Sequence, residues 1–176
     1  SDTISVTLDS PISLKLPAQQ FNVQTQVIGA DGTWTPNVDE LGTAVWVYGT
    51  IVNYVVGLPD SEENRALLEG LAPGDEMMLA TRGGTRYTFS FNSRTTVPVT
   101  NRDVFAQTTP GITLVLLGSE GSERLVVNGR YVVAESDSQA GNVVSLGETA
   151  QLDNIQLTVN STTYIADRAE IPPGFA

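Results

Sequence analysis

Neither cysteine nor histidine occurs in this 176-residue chain. The first absence rules out disulfides, thiolate nucleophiles and Cys-ligated zinc. The second removes Ser-His and Cys-His catalytic pairs and His-metal sites, and leaves no side chain with an ordinary pKa near neutrality. Most familiar hydrolase and transferase machinery is thereby excluded before any fold is considered. Charge is scarce too, at 16% of residues, and mostly of one sign: 20 Asp and Glu against 9 Lys and Arg, a net charge of −11. A field of that sign repels phosphate backbones and anionic lipid, so neither nucleic acid nor a membrane surface is an expected partner. No run approaches the roughly 18 consecutive apolar residues of a membrane-spanning helix, and no signal-peptide pattern is visible. The chain opens at Ser1 without Met and stops at IPPGFA, so it reads as a segment of a longer protein.

What is present is a folded, β-rich chain. Apolar residues make up 40%, enough at this length to bury a core without staples. Period-2 alternation marks strands at 3–8 (TISVTL), 12–16 (ISLKL) and 21–28 (FNVQTQVI). Residues 44–56 (AVWVYGTIVNYVV) are denser in β-branched and aromatic side chains and read as one deeply buried strand with a break near Gly49. One helix is expected within 58–75: Asp60 or Ser61 as N-cap, acids in the first turn, a Leu67, Leu68 and Leu71 stripe, and Pro73-Gly74 as the stop. A hairpin turning at Gly83-Gly84 follows, with Tyr87, Phe89 and Phe91 on one face. TVPV (96–99) reads as a short strand at an edge or a bulge because of Pro98, and NRDVFAQ (101–107) as a single helical turn. Gly111 to Leu117 and Arg124 to Val133 are two further strands. Asn128-Gly129 in the second is either a hairpin turn or a bulge in one long strand. Beyond 136–142 the texture becomes polar, with three or four short strands.

The order of these features resembles a known family. ISLKLP, VIGADGTWTPNVDE, WVYGT, LLEGLAPGDEMML, TRYTFSF, NRDVFAQ, then TPGITLVLL with ERLVV together look like a sortase, the transpeptidase of Gram-positive-type cell surfaces, and most like its short branches. The resemblance spans about residues 11 to 134, a usual domain size. It implies an all-β fold: an eight-stranded β-barrel with one or two short helices over 1–135. Residues 136–176 would then be a linker and β extension, or the start of a truncated second module. Sortase chemistry implies a cysteine ending a TLxTC strand, a histidine following a glycine at an earlier strand end, and an arginine opening the long last strand. On this chain Leu117 falls at the cysteine, Leu116 at the second Thr of the motif, Thr50 at the histidine and Arg124 at the arginine. The arginine's place on a long strand favours the bulge at Asn128-Gly129.

Two of the three functional positions therefore lack their chemistry, and loss of one member of a catalytic triad alone commonly costs about 10⁴-fold in rate. Ser119 has no base to activate it. Arg124 is expected either to bind a carbonyl or carboxylate in a vestigial groove or to pair with Glu120 or Glu123 at the surface; the surface pairing is favoured. Asp31, Asp39, Glu40, Asp60, Glu62 and Glu63 have no EF-hand spacing, so no metal is expected. No cofactor is expected either. TRGGTR is too short for a phosphate loop, and Asn160-Ser161-Thr162 is a glycosylation sequon by pattern only. The function these readings point to is a catalytically inactive sortase-like module, outside or on the surface of a bacterial cell and tethered by segments outside this chain. It would be a monomer acting as a spacer or as a binder of a surface protein or peptide through Thr50, Leu117 and Arg124. The alternatives are a sortase-fold enzyme with carboxylate- or Ser-based chemistry, and a purely structural barrel whose groove is filled by Leu117, Tyr48 or Trp46.

Overall fold

A computed structural model describes residues 8–28, 34, 42–118, 121–133, 149–152 and 155–158. Two compact units divide the chain, Ser1–Val132 and Val133–Ala176. The first contains β1 (Pro11–Lys15), β2 (Gln20–Gln26), β3 (Thr43–Val47), β4 (Asn53–Pro59), α1 (Glu62–Gly70), β5 (Glu76–Thr81), β6 (Arg86–Pro98), a 3₁₀ turn at Asp103–Phe105, β7 (Gly111–Leu117) and β8 (Glu123–Tyr131). The eight strands close into a barrel in the order β1-β2-β3-β4-β7-β8-β6-β5, so each has a partner on both sides and no edge is left open. Two neighbours, β2–β3 and β4–β7, are parallel. The second unit contains an antiparallel pair, β9 (Thr149–Leu152) and β10 (Ile155–Thr158). The expected strand at 3–8 lies mostly outside the described residues.

Alternation along each strand divides the side chains between two clusters. Leu14, Phe21, Trp46, Tyr54, Val56, Leu58, Met77, Leu79, Phe89, Ile112, Leu114, Leu116, Leu125 and Val127 fill the barrel. The other face of β3, β4, β7 and β8 carries a smaller cluster of Val45, Val47, Val55, Val115, Leu117 and Val126 beneath Trp34. Burying each such side chain contributes about 1.5–3 kcal/mol. The barrel is tight where Gly129 of β8 faces its interior: a Cβ there would lie 2.9 Å from Ile112 Cγ2 and overlap Met77 Cε.

Helix α1 starts as its sequence indicates. The Ser61 hydroxyl accepts from the Asn64 amide, and Glu62 and Glu63 occupy the first turn. Its last turn has no basic residue of its own. The Arg94 guanidinium on β6 supplies the charge instead, donating to the carbonyls of Leu68 and Leu71 at 3.1 Å each.

Three expectations need correction. Residues 44–56 are not one strand but the ends of two, β3 and β4, with a turn between them in which Gly49 has φ +89°. TVPV is not a separate edge strand. It is the end of the 13-residue β6, where Pro98 stands opposite Glu123 of β8. Asn128-Gly129 is part of one long strand, as favoured, but the bulge lies across from it on β6: Phe91 faces Gly129, Ser93 faces Asn128, and Asn92 is the extra residue.

Candidate functional site

Strand β7 decides where the motif residues point. Ile112, Leu114 and Leu116 face the barrel interior, while Val115 and Leu117 belong to the outer cluster. Leu116 is therefore core and Leu117 is groove floor. Val115 stands opposite Val126 on β8, and two residues further along their strands stand Leu117 and Arg124. These two sequence-predicted residues share one end of the barrel's outer face.

That end is covered. Leu117 and Trp34 are each 2% exposed. A Cβ on Gly57 would overlap Leu117 Cδ1 and lie 2.6 Å from Trp34 Cζ2, so both side chains rest directly on the glycine backbone of β4. The Trp34 ring packs at 5.6 Å from Phe105 of the 3₁₀ turn, and its indole N–H donates to Gln26 Oε1 at 3.1 Å. The filling residues are Leu117, as expected, and Trp34, which sequence reasoning missed. Tyr48 is half exposed, and Trp46 is inside the barrel with its indole N–H donating to the Thr50 carbonyl at 2.9 Å.

Arg124 is the one charged group of the three predicted positions. Its Nη2 donates to the Trp34 carbonyl at 2.8 Å, and its buried Nε has no partner. Burial pulls the guanidinium pKa below its ordinary value, though the group remains a cation at any ordinary pH. The favoured surface pairing does not hold for Glu123, which is exposed and faces Pro98 across the strand pair. The ion pair among the described residues is Arg65–Asp60 at 2.8 Å. Glu120, Ser119, Asp31, Asp39, Glu40 and the Asn160 sequon lie outside the described residues. Asp60 is occupied by Arg65, and Glu62 and Glu63 are exposed on α1.

Thr50 is elsewhere. Because β4 and β7 are parallel, Asn53 stands beside Gly111 and Pro59 beside Leu117. Thr50 lies before Asn53, and its hydroxyl turns back only as far as the Val55 amide, accepting at 3.1 Å while donating to the Val47 carbonyl at 2.7 Å. Val55 is four residues short of Pro59, about 13 Å of strand. Thr50 locks the β3–β4 turn and does not share the end where Leu117 and Arg124 meet.

No protein-family model matches this chain, and no curated protein does. Solved structures do match. Sortase A of Listeria monocytogenes superposes with a TM-score of 0.53 at 17% identity, over 75% of this chain and 97% of that one. A sortase D5 transpeptidase of Clostridium perfringens gives 0.54 at 14%, over 69% and 78%. A lid mutant of Corynebacterium diphtheriae sortase A gives 0.53 at 14%, over 72% and 73%. This chain has a sortase-like fold. The strand that ends beside Leu117 is β4, and the glycine near that end is Gly57, followed by Leu58, while Gly49-Thr50 belongs to the β3–β4 turn. Leu58 is wholly buried in the barrel.

Proposed function

We propose that this barrel is a non-catalytic sortase-like module of a bacterial surface protein, serving as a rigid spacer and not as a transpeptidase. The observation that carries this reading is the packing of Leu117 between Gly57 and Trp34. Where a nucleophile would need an open approach, an aliphatic side chain sits under an indole ring, and the one cation nearby is turned to the Trp34 carbonyl. The sortase-like fold supplies the frame, and the absence of cysteine and histidine removes the nucleophile and the acid. No helix among the described residues is long and apolar enough to cross a membrane. Tethering through other segments of the same protein is part of the proposal.

The test is incubation with sorting-signal peptides and an amine acceptor, read by mass spectrometry, for the natural chain and for Leu117→Cys. Neither should cleave the peptide, and neither should form an adduct with it. Native Leu117→Cys should also react with a small thiol reagent far more slowly than in urea, because the position is closed to solvent. Turnover by the natural chain, or fast native labelling of Leu117→Cys, would overturn the reading.

A further inference from the structure

The opposite end of the same outer face holds a hollow of about 370 Å³, a size in the range of small-ligand sites. Asparagines from three strands line it: Asn53 of β4, Asn92 of β6 and Asn128 of β8. Asparagine is among the residues strands accommodate least well; Asn53 and Asn128 offset that cost through bonds to Ala106 and Thr113, while the Asn92 side chain has no bond among the described residues. Asn92 is there because it is the bulge residue, and bulges re-aim side chains. Between them the Thr113 hydroxyl, 2.9 Å from Asn53 Nδ2 and 3.0 Å from Asn128 Oδ1, fixes two of the amides in orientation. Asp103 and Arg130 also line the hollow, and neither side chain has a partner among the described residues.

The wall is rigid. Gln107 clamps the β6–β7 segment to β4, accepting from the amides of Val52 and Asn53 at 3.1 and 3.2 Å and donating to the Asn53 carbonyl at 2.7 Å. Pro110 and Gly111 line this hollow and also a second, apolar one of about 210 Å³ beside it. Tyr87 and Tyr131, half-buried, rim the second hollow over the buried Tyr54 and Phe89, with adjacent ring centroids 5.4–6.3 Å apart.

We propose that the two hollows, joined at Pro110 and Gly111, form one site for an uncharged oligosaccharide, one sugar ring against the half-buried Tyr87 and Tyr131 and the hydroxyls of a neighbouring ring on the asparagines. A pyranose offers a face of C–H groups to an aromatic ring and a rim of hydroxyls to amide, carboxylate and guanidinium groups. The ligand is uncharged because the hollow balances one acid against one base, while the chain's net charge of −11 repels anions. An extended peptide cannot add to this wall as a further strand, since every strand of the barrel is paired on both sides. The site shares no residue with the Leu117 end, so it stands or falls apart from the reading given there.

An amide NMR titration with chitotetraose, cellotetraose and a tyrosine-containing tetrapeptide tests it. One of the saccharides, at roughly 10 mM, above the millimolar Kd expected of a few such contacts, should shift the side-chain amides of Asn53, Asn92 and Asn128. Asn92→Ala, at an exposed position with no structural bond, should fold normally and weaken binding roughly 5-fold. Asn92→Trp, filling the hollow, should abolish it. No shift with either saccharide, shifts that map elsewhere, binding unmoved by both variants, or binding of the peptide alone would overturn the proposal.

Discussion

Gly57 has no side chain because Leu117 and Trp34 occupy the space one would need. Gly57→Ala should cost about 1–3 kcal/mol through overpacking, and Leu117→Ala about 2–5 kcal/mol through the cavity it leaves. Together they should cost less than their sum by about 1 kcal/mol or more, because the added methyl enters the space the leucine vacates. Urea unfolding of the four-member cycle measures this, and strictly additive costs would show that the two do not touch. Arg124 shows the same economy of contact with a less favourable balance. One nitrogen is satisfied by the Trp34 carbonyl, while Nε is buried without a partner, a desolvation cost that packing around it must offset. Sequence alone paired Leu117 with Arg124 because both lie at strand ends, where a motif with fixed offsets is readable. Trp34 was invisible as a covering residue, since a loop tryptophan carries no periodicity to say where its ring will lie.

At the scale of elements, the strands whose two faces differ were legible. β2 alternates over Phe21–Gln24, and α1 declares its cap and first-turn acids; β1 keeps Leu14 inside but leaves Ile12 44% exposed, because its pairing with β5 shifts register between Pro11 and Ser13. The β3–β4 turn was not, because its residues are themselves apolar: Tyr48, Ile51 and Val52 are 52, 49 and 40% exposed. Hydrophobicity runs through the turn with little interruption, and the break read at Gly49 within one strand is the turn between two strands. The approach to β1 shows a tie that no pattern announces. Asp9 accepts from the Thr81 hydroxyl at 2.6 Å and from the Gly83 amide at 2.7 Å, fastening the entering chain to the β5–β6 turn. These two bonds, the Thr81 hydroxyl first, hold its carboxyl below the ordinary value of 3.8. A depressed folded-state pKa stabilises above the unfolded value and is lost as pH falls through the folded one. Asp9→Ala should therefore melt lower than the natural chain near neutral pH, and its melting temperature should fall less steeply below about pH 4. Parallel profiles for the two proteins in thermal melts across that range would sink the assignment.

Across the whole molecule, closure of the barrel and the sign of its charge act together. Closure satisfies the strand edges, and a strand order with two parallel pairs of neighbours is a long-range property that local alternation cannot specify; the eight-stranded barrel was reached through resemblance, the order of its strands was not. The charge works against compactness. With 20 acidic and 9 basic residues, the cations are too few to offset the acids. Self-repulsion destabilises a compact state and is screened once the Debye length falls to about 10 Å near 0.1 M salt. Raising sodium chloride from about 0.01 to 0.5 M at neutral pH should therefore raise Tm. A gain of about 1 kcal/mol corresponds to roughly 2–4 °C at this chain length. Chloride is the appropriate anion, because sulfate would stabilise by exclusion from the surface whatever the charge. The effect should shrink as pH approaches the sequence pI of 4.2, where net repulsion vanishes. A Tm that ignores salt at neutral pH, or rises equally at both pH values, would mean that the acids are arranged so as not to repel one another, and the charge excess would then have no bearing on the stability of the barrel.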